Sequence, residues 1–85
     1  MYLHLGADTA VDMRDVVAVF DMENTTAFAR GRRFLAAASK RGEVVDITED
    51  LPKSYIVTDS SGVRRVYISS LSPKTLIKRA KGKRA

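Results

Sequence analysis

Six short runs of apolar and β-branched residues recur along this 85-residue chain, and turn-forming residues separate most of them. Some runs alternate between apolar and polar residues and others are almost continuously apolar, and both patterns are typical of short β-strands. The run Val16–Phe20 is the most continuously apolar, which predicts a strand covered on both faces. The six strands are predicted at Tyr2–Leu5, Thr9–Met13, Val16–Phe20, Val44–Ile47, Ser54–Thr58 and Val63–Ser69.

Two further segments follow the 3.6-residue period of an amphipathic helix. The first extends from an N-cap at Asn24, Thr25 or Thr26 to a stop at Gly42. Its basic face is interpreted as solvated surface, with phosphate contact as the alternative. Ser72 and Pro73 begin the second helix. The apolar face of the first helix comprises Ala27, Phe28, Gly31, Phe34, Leu35 and Ala38. Its basic face comprises Arg30, Arg33, Lys40 and Arg41. The apolar stripe of the second helix comprises Leu76, Ile77 and Ala80.

The resulting order, βββ-α-βββ-α, predicts a small β-rich α+β domain. Turn residues at Gly6–Asp8 and Asp59–Gly62 join neighbouring strands. The domain is expected to span residues 1–81, and residues 82–85 are expected to form a basic flexible tail. An 85-residue chain without cysteine has a modest core and no disulfide, so we also expect it to form a homo-oligomer.

Charge is distributed unevenly along the chain. Residues 1–60 carry seven basic and ten acidic side chains, whereas residues 61–85 carry eight basic side chains and no acidic one. A segment that is purely cationic suits an anionic partner, and nucleic acid is the leading candidate. The alternative interpretation is an ordinary solvated tail.

Several basic residues on strands and on the last helix are candidate phosphate contacts, because guanidinium forks match phosphate geometry. On the last strand, alternation places Arg65 with Tyr67 on one face and Val66 with Ile68 on the other. The sequence has no helix-turn-helix, zinc finger or RNA-binding aromatic signature, so nucleic acid would be read mainly through its backbone. The candidates from this pattern are Arg14, Arg64, Arg65, Lys78, Arg79 and Lys81.

Catalysis is not indicated. His4 stands alone, no glycine-rich phosphate loop links a strand to a helix, and no spacing of His, Asp or Glu suggests a metal. The serines have no partner base. We therefore expect no enzymatic activity, no cofactor and no small-molecule substrate. The sequence also lacks a signal peptide and a membrane-spanning stretch, so a cytoplasmic protein with no membrane partner is expected.

Four segments of the chain are informative when they are taken together. They are Met1–Gly6, Met13–Asp21, Pro52–Thr58, and Ser69–Leu76 followed by Lys78-Arg79-Ala80. They extend over roughly residues 1–80, and their order and spacing are more specific than any one of them. These segments resemble the bacterial extracellular matrix regulator family, and are most similar to its RemB branch.

The resemblance implies a cytoplasmic, DNA-binding transcriptional regulator of biofilm and extracellular matrix genes. It also implies a ring, because the RemA branch assembles into rings whose arginines line a surface around which DNA wraps. One family arginine falls on Arg14. The RemA branch has an arginine pair just before the strand Ser54–Thr58, where this sequence has Leu51-Pro52 and then Lys53. Lys53 therefore joins the candidates, and Arg64, Arg65 and the basic C-terminus are the replacements we infer for the missing pair.

Two functions lead at this point, and RNA binding is a weaker third because the sequence has few aromatic residues for base stacking. The first is DNA binding by an oligomer through many weak phosphate contacts. The second is a ring-forming scaffold or interaction protein that does not bind DNA, in which Arg14 forms only a salt bridge to Asp12 or Asp15. The missing arginine pair favours the scaffold, whereas the cationic last third favours DNA binding.

Overall fold

The computed structural model describes residues 1–22 and 29–82, and these contain six strands and two helices. A 3-10 turn at Met13–Asp15 joins the second strand to the third. This order confirms the predicted α+β class. The N-cap predicted at Asn24–Thr26, the apolar residues Ala27 and Phe28, and residues 83–85 lie outside the described residues. The elements are β1 (Tyr2–Gly6), β2 (Thr9–Asp12), β3 (Val16–Asp21), α1 (Ala29–Lys40), β4 (Val44–Asp46), β5 (Ser54–Ser60), β6 (Val63–Ser69) and α2 (Pro73–Gly82).

Four strands form a central sheet in the order β3-β5-β6-β4, and β1 pairs with β2 as a separate antiparallel hairpin. β5 pairs antiparallel with both β3 and β6, whereas β4 pairs parallel with β6. The predicted turn between β5 and β6 places Ser61 and Gly62 at φ values of 50° and 87°, as a type I′ hairpin turn requires. Asp59 Oδ1 accepts the N–H of Gly62 at 2.9 Å and closes this turn.

Each face of the sheet is covered by a different layer, because side chains along a strand point alternately to the two faces. On one face the hairpin and α2 pack over Ile56, with Leu5 and Leu76 buried between the layers. On the other face α1 packs over Val66, with Ala38 buried in the contact. We call these two faces the hairpin side and the α1 side.

The predicted alternation on β6 is confirmed. Val66 and Ile68 pack on the α1 side, whereas Tyr67 packs on the hairpin side. On α1, the predicted apolar positions Phe34 and Leu35 pack into the same α1-side core. The face of each element that contacts the sheet therefore follows directly from the period of its apolar residues.

One predicted environment is wrong. β3 was expected to be covered on both faces, but it is an edge strand, and Val17 and Phe20 are 65% and 42% exposed. The strand covered on both faces is β5, in which every residue of Ser54–Thr58 is buried. β5 has this environment because it lies between β3 and β6 and beneath both outer layers.

Helix α2 begins where the sequence predicts. Ser72 Oγ accepts the N–H of Thr75 at 3.2 Å, which is the expected N-cap bond. Leu76 is buried and Ala80 is half-buried, but Ile77, predicted to belong to the same stripe, is 50% exposed. The stripe is therefore narrower than predicted. No helix in the described part of the chain is long and apolar enough to cross a membrane.

Two buried serine hydroxyls tie the outer layer of the hairpin side to the sheet. Ser69 Oγ donates to the carbonyl of Leu5 at 2.7 Å and accepts the N–H of Leu71 at 3.0 Å. Ser54 Oγ donates to the carbonyl of Leu71 at 2.7 Å. These bonds fix β1 and the segment before α2 against the ends of β5 and β6.

Candidate nucleic-acid interface

Arg14 lies in the 3-10 turn where the chain passes from the hairpin to the sheet. Asp12 caps this turn by accepting the N–H of Arg14 at 2.9 Å. The same carboxylate also holds the guanidinium, with Nη2 2.8 Å from Oδ2 and Nε 3.3 Å from Oδ1. The Arg14 side chain is nonetheless 86% exposed, so its remaining N–H groups face solvent and can meet an external anion.

The pairing changes the titration of both groups. The side-chain hydrogen bond from Arg14, followed by its backbone hydrogen bond, lowers the pKa of Asp12 from 3.8 to about 2. The same contact raises the pKa of Arg14. Both groups are therefore charged at neutral pH, and Asp12 partly offsets the positive charge that Arg14 presents.

Arg64 and Arg65 are adjacent on β6 and therefore point to opposite sides of the sheet. Arg65 lies across from Thr58 on the hairpin side, and both arginines are exposed. Arg64 lies on the α1 side near Glu43. The pKa of Glu43 is lowered mainly by its side-chain hydrogen bond from Arg41, 3.0 Å long, with a smaller contribution from the charge of Arg64.

Arg14 and Arg65 come to the same end of the sheet. Val16, two residues after Arg14, pairs with Thr58, and Thr58 pairs with Arg65 on the next strand. Since neighbouring strands lie about 4.8 Å apart, the Cα atoms of Val16 and Arg65 are separated by roughly 10 Å. Two arginines from distant parts of the sequence therefore reach solvent at one corner of the molecule.

Helix α2 adds cations to the hairpin side, where it packs against β1 and β3. Lys74, Lys78 and Lys81 are four and three residues apart, which places them on one helical face, opposite the buried Leu76. Arg79 lies between that face and the buried Leu76 on the circumference of the helix. All four cations are exposed. The helix includes Lys81 and ends at Gly82.

Lys53 is not brought to the same place. It is exposed immediately before β5, where its backbone N–H donates to Ser69 and its carbonyl accepts from Met22. Thr58, beside Arg65, is five residues further along the strand, a distance of roughly 17 Å. Arg14 and Arg65 thus share one end of the sheet, and α2 carries its cations on the hairpin side. Lys53 lies at the opposite end of β5, and Arg64 lies on the α1 side.

Sequence reasoning missed two parts of this arrangement. It did not identify Asp12 as the cap of the turn that carries Arg14. An aspartate often starts a turn by accepting the backbone N–H of the residue two positions later, so the pair Asp12 and Arg14 was a usable signal. It considered Ser69 only as a strand residue and a nucleophile and Ser54 only as a strand residue, and so missed the structural bonds of both. Alternation on β6 could have placed Ser69 on the same face as Tyr67, which packs on the hairpin side.

The chain matches known proteins over nearly its whole length. The family model RemA-like, described as extracellular matrix regulatory protein A-like, matches residues 2–80. Extracellular matrix regulatory protein B of Bacillus subtilis (strain 168) is 40% identical over 81 residues, which cover 94% of this chain and 90% of that protein. The matched range contains the hairpin, the four-stranded sheet and most of α2. The resemblance seen in the sequence is thereby confirmed, and the chain belongs to the RemA-like family of extracellular matrix regulators.

Proposed function

We propose that this protein is a cytoplasmic, DNA-binding transcriptional regulator of extracellular matrix genes, which acts as a homo-oligomer and contacts mainly the DNA backbone. The observation that carries the proposal is the group of exposed cations on the hairpin side. Membership of a family named for regulation of the extracellular matrix supports the regulatory part. The group comprises Arg14, Arg65, Lys74, Lys78, Arg79 and Lys81.

The chemistry of these groups favours phosphate over base edges. Arginine binds phosphate through parallel N–H donors, whereas lysine acts as a mobile point charge. Helix α2 carries no acid from Pro73 to Gly82, so nothing on the helix itself neutralises its charge. Such a surface positions a protein on DNA through the backbone and has little means of reading sequence.

Oligomerisation would make these weak phosphate contacts sufficient for stable DNA binding. In the sheet formed by the described residues, β3 is an edge strand that exposes Val17 and Phe20, and β4 is the other edge. Unpaired edges and exposed apolar side chains favour association with further copies of the chain. In an oligomer each subunit repeats the corner at which Arg14 and Arg65 reach solvent. Binding of DNA by one subunit therefore raises the effective concentration of DNA at the neighbouring subunits.

A gel-shift titration against salt tests the proposal, with random DNA and matrix-gene promoter DNA as probes. We expect binding to both probes, with affinity falling by orders of magnitude between roughly 50 and 200 mM salt. Affinity that does not change with salt would contradict a backbone-reading mode. Binding to neither probe at low salt would reject the proposal altogether.

A second function is favoured by the state of Arg14. Asp12 already occupies two of its donor positions, and Leu51, at the place of the family's arginine pair, is 72% exposed. These features fit an oligomeric scaffold whose cationic side meets an acidic protein. The scaffold predicts assembly without DNA binding, so sedimentation and gel shift on the same sample separate the two functions.

A further inference from the structure

The outer face of α1 is a second cationic surface that the proposed function does not use. Arg30, Arg33 and Lys40 are exposed there, and none of them has an ion-pair partner within residues 1–22 and 29–82. No acid occurs in the helix between Ala29 and Lys40. In contrast with Arg14, these three cations meet no carboxylate among the described residues.

The shape of this face suits close approach by an extended anion. Ala36 and Ala37 are exposed between Arg33 and Lys40, so no long side chain stands between the cations. Arg30 and Lys40 are ten residues apart, which is about 15 Å along the helix. At one phosphate per 3.4 Å of each DNA strand, this length corresponds to roughly four phosphates.

The residues on this face favour nucleic acid over a protein partner. Centres of protein interfaces are depleted in charge and rich in large apolar side chains, whereas interfaces with DNA are polar and positively charged. The large apolar residues exposed in the described part of the chain, such as Val17, Leu51 and Ile77, lie on other elements. The outer face of α1 has only arginine, lysine, serine and alanine.

We propose that α1 binds a second segment of double-stranded DNA, so that the protein bridges two duplexes. The inference rests on the proposed DNA binding by the hairpin side. α1 and α2 cover opposite faces of the sheet, so a straight duplex lying on α2 does not reach α1 of the same subunit. The two surfaces are therefore available to different segments at the same time.

A two-duplex capture assay tests this inference. One duplex is immobilised and loaded with the full chain at low salt, and a labelled second duplex of unrelated sequence is then added. The α1 variant replaces Arg30, Arg33 and Lys40 by glutamine. The matched control variant replaces Lys74, Lys78 and Lys81 by glutamine, and so removes the same charge from α2. Thermal melts and sedimentation establish that both variants remain folded and assembled.

The wild type is expected to capture the second duplex. In the α1 variant, capture should fall at least about tenfold, while loading on the first duplex stays within about twofold of the wild type. Capture by the α1 variant at the wild-type level would overturn the inference, as would a wild type that loads on the first duplex and captures no second one. A wild type that fails to load at all would reject the proposed function itself.

Discussion

At the scale of single residues, Asp12 determines what Arg14 can offer. The carboxylate caps the 3-10 turn and binds the guanidinium, so it fixes the position of Arg14 and partly offsets its charge. A positioned arginine loses less conformational entropy on binding than a free one. Asp12 therefore weakens the positive electrostatic field at this corner, but it also holds the Arg14 side chain in place for binding.

The titration of Asp12 is the first prediction. Its carboxyl should titrate near its pKa of about 2, and Arg14→Ala should move that pKa up toward 3.8. Since the pKa is depressed in the folded chain, the pair contributes fully to stability above about pH 4 and loses its contribution as the pH falls toward 2. NMR titration of the side-chain carboxyl measures this. Asp46, whose pKa is lowered by Thr48, is the internal control and should not respond.

Arg14→Ala should also weaken DNA binding while the assembly stays intact. Arg14 is exposed at the corner it shares with Arg65, and in an oligomer the deficit recurs in every subunit, so we expect a loss of roughly tenfold or more. Lys53→Ala should matter less, because Lys53 lies at the far end of β5. Gel shifts measure both effects, with sedimentation as the control. Equal, unchanged affinities would remove Arg14 from the interface and favour the scaffold.

At the scale of elements, α2 combines a buried anchor with an exposed cationic face. Deleting residues 81–85 should weaken nucleic-acid binding more than it lowers the melting temperature, because Lys81 is exposed and Leu76 remains in place. Leu76→Ala should lower the melting temperature more than it weakens binding, because it removes a buried side chain at a cost of about 2–5 kcal/mol of stability. Thermal melts and filter binding separate the two. A large loss of melting temperature on deletion, with unchanged binding, would assign these residues a structural role.

Loss of the buried hydroxyl of Ser69 should lower the free energy of unfolding more than loss of an exposed serine hydroxyl. Ser69→Ala leaves the carbonyl of Leu5 and the N–H of Leu71 without this partner, at a cost of about 1–3 kcal/mol. Ser39→Ala, on the exposed surface of α1, should stay within about 0.5 kcal/mol of the wild type. Urea unfolding measures both. Equal stabilities of the two variants would show that the Ser69 bonds do not hold the hairpin in place.

The positions of the strands and helices along the chain were predictable from the sequence, but which strands lie side by side was not. Period and turn residues located all six strands and the described helices, because these signals are local. The strand order is set by pairing between segments distant in sequence, so an apolar run such as Val16–Phe20 did not reveal that it forms an edge. The same limit applies to the site. Alternation separated Arg64 from Arg65, but only the register of β3, β5 and β6 brought Arg65 to Arg14.

At the scale of the whole molecule, the β3 edge should decide the oligomeric state. A bulge interrupts its pairing at Val17, which is 65% exposed. We expect a homo-oligomer at micromolar concentration, and Val17→Lys should shift it toward smaller species, because a charged side chain on an edge opposes association. Sedimentation measures both. A wild-type species of 9.4 kDa would contradict the oligomer, and an unchanged assembly in Val17→Lys would place the contact elsewhere.

The bond between Ser69 and Leu5 has a consequence for synthesis of the chain. Its two partners are 64 positions apart, and Leu3 and Leu5 are also covered by Leu76 of α2. On the ribosome, the hairpin therefore emerges long before the residues that will bury it. The leucines of β1 cannot be completely buried until translation reaches α2, so we expect a stalled chain lacking α2 to present part of their surface to chaperones and proteases. Completion of the fold thus coincides with completion of the cationic surface.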